Sequence, residues 1–377
     1  MSVYWNERTR NLKPYVPGEQ PRDRKFIKLN TNENPYPPSP LVIEAIQKAA
    51  GEKLRLYPDP SCTELREAAA LRFGVKADQV FASNSSDEIL AFTFAALFRE
   101  TLLFPDITYS FYPVYADLWD IPYRTVPLKA DFSIDISPYL ETVSQGDSGG
   151  IIFPNPNAPT GIAVTLEDIR KATQEAERNK RVLVVDEAYI AFVDEDGQTR
   201  QGIGSALPLI REFSNLLIVR TLSKEASLAG LRVGFAIGAG ELIEGLCRVR
   251  DSFNSYTLDR LAQAGAAAAL ADTAYYKEIN RRIIATRRRV SLGLQAMGFR
   301  VLPSQANFIF ASPPDEYLRS GGGRGGQDFF TALRERGILA RYFNKPRIAD
   351  YLRISIGTNE EMDAFLEACR EIMRLKD

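Results

Sequence analysis

The chain has 377 residues, 45% hydrophobic and 25% charged, enough for a large core shared between two domains. Lys plus Arg number 47 against 48 Asp plus Glu, so no single-signed field draws it to nucleic acid or to an anionic membrane. Histidine is absent, which excludes Ser-His-Asp triads, Cys-His pairs and H-E-x-x-H zinc sites, and leaves proton transfer near neutral pH to a shifted carboxylate or lysine, or to a bound cofactor. Cys62, Cys247 and Cys369 are odd in number and far apart, so neither a disulfide framework nor a metal site is expected. The N-terminus lacks an apolar signal core and no run approaches the roughly 20 apolar residues of a membrane span, so a soluble, cytoplasmic protein is expected.

From residue 61 the pattern Ser-x-x-Glu, followed by apolar residues at helical spacing, predicts a capped helix over 61–72. Short apolar runs then recur between helix-like segments, at 79–82, 101–104, 150–153, 181–185, 216–219 and 233–237. Such runs read as strands buried on both faces, and the alternation predicts an α/β fold with a mostly parallel sheet of the seven-stranded type between helices. Residues 89–98 are expected to be helical, and Thr165 with Asp168 caps the helix after the third run. An Ala-rich stretch at 262–271 and a long basic helix over 273–297, stopped by Gly298, open a smaller α/β domain with strands near 307–310 and 351–356. The expected division is a large domain over 45–255, with 256–377 and the N-terminal arm 1–44 forming the small one. The Gly-rich stretch 321–326 lacks the Gly-Lys-Ser/Thr ending of a phosphate loop and is read as a surface loop.

Open α/β sheets bind ligands at the carboxyl ends of their strands, so 84–88, 155–161, 186–189 and 221–224 are expected to converge. Asp186 ends an apolar strand, where a carboxylate can pair with a ring nitrogen; Tyr189 and Asn157 can donate to an adjacent oxygen. Lys224 follows a strand end and lies beside Thr221 and Ser223, with Arg232 eight residues on, all suited to phosphate oxygens. The segment NSSDE at 84–88 precedes a helix and offers backbone N–H groups to an anion, and Tyr109 is placed to stack on a ring. A lysine for an aldehyde, an acid for a pyridine nitrogen, a donor for a phenolic oxygen and a phosphate site are together the requirements of pyridoxal 5'-phosphate. The expectation is a PLP enzyme holding its cofactor on Lys224 as a Schiff base.

Seven segments in order then resemble the fold-type I, class I/II aminotransferases over nearly the whole chain: LNTNENP at 29–35, LYPD at 56–59, NSSDE at 84–88, NPNAPTG at 155–161, DEAY at 186–189, the Lys224 segment, and YLRISIGT at 351–358. The resemblance implies that Ser86, Asp87, Tyr109, Asn157, Asp186, Tyr189, Thr221, Ser223, Lys224 and Arg232 line the cofactor. It further implies that Arg353, Arg341, Asn34 and Tyr15 meet the substrate, and that Tyr57 reaches into a neighbouring subunit of a homodimer. The implied reaction is a ping-pong transamination from L-histidinol phosphate to 2-oxoglutarate, a step of histidine biosynthesis, with Lys224, Asp186 and Tyr189 as the catalytic set. Two features depart from the family pattern: Glu225-Ala226-Ser227 after the lysine, where an Ala-aromatic pair and a small residue are usual, and Ser83 and Ser85, where glycines are common. An aromatic or broad-range aminotransferase and a threonine-phosphate decarboxylase would use the same Lys224 and Asp186. A non-catalytic nucleotide- or effector-binding protein would share the α/β pattern but gives no reason for Lys224 with Arg232.

Overall fold

The computed structural model describes residues 3–21, 24–194, 202–319 and 325–374. The apolar runs form a seven-stranded sheet of Val80–Asn84, Val233–Gly238, Leu216–Thr221, Val182–Asp186, Gly150–Pro154, Leu102–Pro105 and Tyr123–Val126, in that spatial order. Val233–Gly238 runs antiparallel to both its neighbours, and the other pairings are parallel. Strands with no exposed face need no polar alternation, which is why six of the seven are legible as short apolar runs. The seventh, Tyr123–Val126, is an edge strand whose first three residues face solvent, and sequence reading passes over it.

The remaining strands are shorter. Phe308–Ser312 pairs antiparallel with Leu352–Ser355 in a four-stranded sheet, and Ile27–Lys28 of the N-terminal arm pairs parallel with Ile338–Leu339. Two apolar clusters flank the site. One lies on a face of the large sheet and takes in Val42, Leu258 and the alanines of the Arg260–Ala271 helix; the other joins the long Thr273–Ala296 helix, the small sheet and the Asn359–Arg374 helix. Arg287 crosses between parts of the chain, its guanidinium donating to the carbonyls of Phe192 and Ala306. Among the described residues no helix is long and apolar enough to cross a membrane.

Helix ends differ in places from the sequence reading. The Leu166–Arg178 helix is capped by the Thr165 hydroxyl, which accepts the Asp168 N–H as expected. The Thr63–Phe73 helix has no Ser61 capping box. Instead, the Asp59 carboxylate accepts the N–H groups of Ser61 and Thr63, and Cys62 sits left-handed at the cap. Two carboxylate oxygens take the two backbone donors with a full negative charge at the helix N-terminus, which a neutral serine hydroxyl does not carry. The helix expected from residue 89 begins earlier, at Ser85, directly after its strand. In the Gly-rich stretch, residues 321–324 lie outside the described residues, while Gly326 opens the Gly326–Glu335 helix.

Candidate active site

Four strand ends on one edge of the large sheet deliver the polar segments to one cavity. Its lining includes Tyr15, Ser86, Asp87, Tyr109, Asp186, Tyr189, Thr221, Ser223, Lys224, Arg232, Arg341 and Arg353, twelve of the residues singled out from sequence. Lys224 sits in a single helical turn, Leu222–Glu225, and its Nζ lies 3.2 Å from the Thr31 carbonyl. Burial pushes its ammonium down to about 8, with the Arg353 charge adding to the effect and Asp87 and Glu33 opposing it. A buried amine half neutral near pH 8 is a competent nucleophile and base.

Asp186 is 5% exposed and has no cation paired with it among the described residues; its carboxylate accepts from the Tyr112 hydroxyl at 3.1 Å and the Ala188 N–H at 3.2 Å. Burial raises it to about 6, the two hydrogen bonds work against this, and Asp87 and Glu187 reinforce it. The sign sets a stability consequence. The folded chain holds the proton more tightly than the unfolded one, so stability falls as pH rises from 3.8 to about 6, and the cost of the buried charge is fully present above that. Asp186→Asn is therefore expected to stabilise the ligand-free protein by about 3 kcal/mol at pH 8, with the difference shrinking toward pH 4, as read by denaturant titrations at both pH values.

On the other side of the strand end, Glu187 is fully buried. It binds the Arg220 guanidinium at 2.9 Å, the Ser205 hydroxyl at 2.8 Å and the Ala206 N–H at 2.6 Å. Since Glu187 follows Asp186 and Arg220 precedes Thr221, this pair ties together the two strand ends that carry the acid and the lysine.

The anion cradle lies where the Ser85–Leu97 helix begins. Arg232 donates to Ser85 Oγ and to Asp87 Oδ2, both at 2.7 Å, and the Tyr109 hydroxyl donates to Asp87 Oδ1 at 2.6 Å. Thr221 Oγ1 and Ser223 Oγ are 2.9 Å apart beside it. Gly234 makes room for the cradle, since a Cβ there would come 2.5 Å from the Ser86 nitrogen. Hydroxyls, a guanidinium and a helix N-terminus suit a phosphate dianion. Asp87 itself is negative, so what it offers an anion is its backbone N–H rather than its carboxylate.

At the opposite wall, Arg353 donates to the Asn30 carbonyl at 3.0 Å and lies over the rings of Phe308 and Phe343, while its buried Nε has no hydrogen-bond partner among the described residues. Arg341 donates to the Val16 carbonyl, and Tyr15 stacks on Phe111 with ring centroids 4.2 Å apart. The Tyr189 hydroxyl accepts from Asn32 Nδ2 at 2.9 Å.

Three of the residues singled out from sequence are absent from this lining. Asn157 is buried, with Nδ2 donating to the Ile107 carbonyl and to Thr160 Oγ1. Asn34 donates to the Lys224 carbonyl at 3.1 Å and so steadies the lysine's backbone. Tyr57 is 78% exposed and stacks on Tyr256, 4.6 Å between ring centroids.

The two sequence departures also find their places. Glu225, Ala226 and Ser227 do not line the cavity, and Glu225 is raised by burial among Arg220, Arg72 and Glu187. Ser85 and Ser227 have φ of +69° and +59°, and the buried Ser227 hydroxyl has no partner. A left-handed serine is strained by about 1–2 kcal/mol. Ser227→Gly is thus expected to raise stability by about 1 kcal/mol, after allowing for the extra freedom of glycine in the unfolded chain, and a higher denaturation midpoint checks it. Sequence reading missed Asn30, Thr31, Asn32 and Gly18 in the lining, and Tyr112 behind Asp186. Asn30 and Asn32 stand in the 29–35 segment already singled out, and Tyr112 lies three residues after Tyr109.

A strand-end lysine, a buried acid and a cradle for phosphate on this fold define a class, and the chain belongs to it: it matches aminotransferase class I and II over residues 24–369. It is a transaminase, moving an amino group between a small amine and a 2-oxo acid. Within that class it is 52% identical to histidinol-phosphate aminotransferase from Clostridium acetobutylicum over 374 residues, 98% of this chain and 99% of that one. It is 51% identical to histidinol-phosphate aminotransferase 1 from Bordetella parapertussis, over 99% of both chains. Among solved structures, histidinol-phosphate aminotransferase from Sinorhizobium meliloti, in complex with pyridoxal-5'-phosphate, has the same fold at TM-score 0.86 and 24% identity, over 100% of this chain and 99% of that one.

Proposed function

We propose that the protein transfers the amino group of L-histidinol phosphate to 2-oxoglutarate, giving imidazole-acetol phosphate and L-glutamate, with pyridoxal 5'-phosphate held on Lys224. The observation that carries the substrate is identity of about half over nearly the full length of three curated relatives, each a histidinol-phosphate aminotransferase. The donor set fits the cofactor: Lys224 for the aldehyde, Asp186 for the ring nitrogen, and Ser86, Thr221, Ser223, Arg232 and the Asp87 N–H for the phosphate. When bound, the cofactor supplies an electron sink for the pair left at the substrate's Cα.

The chain's own groups do the rest. Once displaced from the cofactor by the substrate's amine, the Lys224 amine would take the proton from Cα and return it at C4′. Asp186 would keep the ring nitrogen protonated and Tyr189 would donate to the phenolic oxygen, whereas Asn157, expected from sequence to be a second donor, already gives its Nδ2 hydrogens to the Ile107 carbonyl and Thr160 Oγ1 and braces the site from behind. Arg353 and Arg341, with Tyr15, hold the acidic end of either substrate, a phosphate in one half-reaction and a carboxylate in the other, while Asn34, expected from sequence beside them, holds the Lys224 backbone instead. Tyr109 stacks on the ring. Tyr57 completes the site of a neighbouring subunit in a homodimer, a reading supported by the exposed Leu54, Leu56, Tyr57, Phe253 and Tyr256. Large and small domains divided near residue 255, and a cytoplasmic setting, belong to the same reading.

A half-reaction tests it. L-histidinol phosphate added without a keto acid to the PLP-loaded protein should bleach the visible cofactor band at far lower concentration than phenylalanine does. A stronger response to phenylalanine would move the substrate to the aromatic amino acids, and CO2 release from threonine phosphate would replace transamination by decarboxylation.

A further inference from the structure

We propose that Tyr112 is a positioning residue that fixes the Asp186 carboxylate against the cofactor's ring nitrogen. The proposal rests on the reading of Asp186 given above. The acid's two hydrogen bonds among the described residues are one to a backbone N–H and one to this hydroxyl, so Tyr112 is its side-chain support.

The geometry makes that support rigid. Tyr112 is fully buried, and its ring packs edge-on against Phe104 at 5.8 Å and Tyr109 at 5.7 Å, with Phe94 at 6.3 Å, so the direction of its O–H is set by packing. Burial and the neighbouring Asp186 charge push its phenol far above the usual range, so it stays a donor at every working pH. Tyr112 is the second residue of the Phe111–Leu118 helix, and Tyr109, three residues earlier, donates to the Asp87 carboxylate that binds Arg232. One aromatic block therefore sets both ends of the cofactor's footprint, the acid through Tyr112 and the phosphate cradle through Tyr109. Asp186 faces Tyr112 and Tyr115 from this helix, Asp87 from the Ser85–Leu97 helix, and Glu187 and Tyr189 from its own segment. Among these neutral or acidic neighbours, the O–H of Tyr112 and the Ala188 N–H favour the charged carboxylate.

The test is a double-mutant cycle on apoprotein titrated with pyridoxal 5'-phosphate: parent, Tyr112→Phe, Asp186→Asn and the double variant. Tyr112→Phe removes one oxygen and keeps the ring packing. It should raise the PLP dissociation constant about tenfold, the usual worth of a hydrogen bond to a charged group, and move the acid limb of the kcat/KM profile upward in pH. In the Asp186→Asn background the same change should alter PLP affinity less than about twofold. An equal effect in both backgrounds would make Tyr112 a packing residue and overturn the proposal. Asp186→Asn weakening PLP while Tyr112→Phe leaves it unchanged would overturn the proposal alone. Asp186→Asn binding PLP as well as the parent would remove the reading of Asp186 and the proposal with it.

Discussion

Lys224→Ala is expected to retain pyridoxal 5'-phosphate and to lose turnover by at least about 10⁴-fold, the upper range for removing a positioned acid–base group. Retention is expected because the phosphate cradle, built from Arg232, Ser86, Thr221 and Ser223, contains no atom of Lys224. Loss is expected because the cavity offers no second amine. Its other cationic side chains among the described residues are the guanidinium groups of Arg232, Arg341 and Arg353, none of them an amine. Gel filtration followed by cofactor quantitation, together with single-turnover absorbance, separates the two parts of the result. The parent should also capture free cofactor faster as pH rises through about 8, where burial places the lysine's titration, and the variant should lack that limb. Full activity in the variant would end the assignment of the lysine.

Arg353→Ala is the second large expectation, a rise of about 100-fold in KM for both substrates with cofactor affinity unchanged. The Arg353 side chain lies over two phenylalanine rings and is held by one carbonyl, leaving its Nε buried with no hydrogen-bond partner among the described residues. A guanidinium in that state gains a full charge-assisted pair when an anion arrives, and truncating one partner of such a pair costs about 3 kcal/mol. Arg353→Lys should recover only part of the loss, because an ammonium cannot reproduce the planar fork. Steady-state kinetics over both substrates, with PLP titration as the control, check this. An unchanged KM would assign the acid to Arg341.

Much of this site is legible in the sequence, for a physical reason. A parallel sheet buried on both faces writes its strands as uninterrupted apolar runs, so the first polar residue after each run, such as Asp186 after 181–185, marks a strand end and hence the ligand edge. Contacts made only by folding are not written that way. Asn32 meets Tyr189 across 157 residues, and Tyr112 meets Asp186 across 74; neither pairing leaves a local pattern. Tyr123–Val126 was hidden because an edge strand can be polar, and the Asp59 cap because it competes with a plausible serine two residues on. Glu225 and Ser227 attract notice in sequence as possible pocket walls, yet neither lines the cavity.

The cavity is lined by one amine, carboxylates and phenols, and the 377 residues contain no imidazole. Under the proposed function this bears on supply inside the cell: a ribosome needs no histidyl-tRNA to translate these 377 residues. When histidine runs short, translation of chains that contain it slows at every His codon, while this one continues at its ordinary pace. The catalyst that relieves the shortage is then made independently of it.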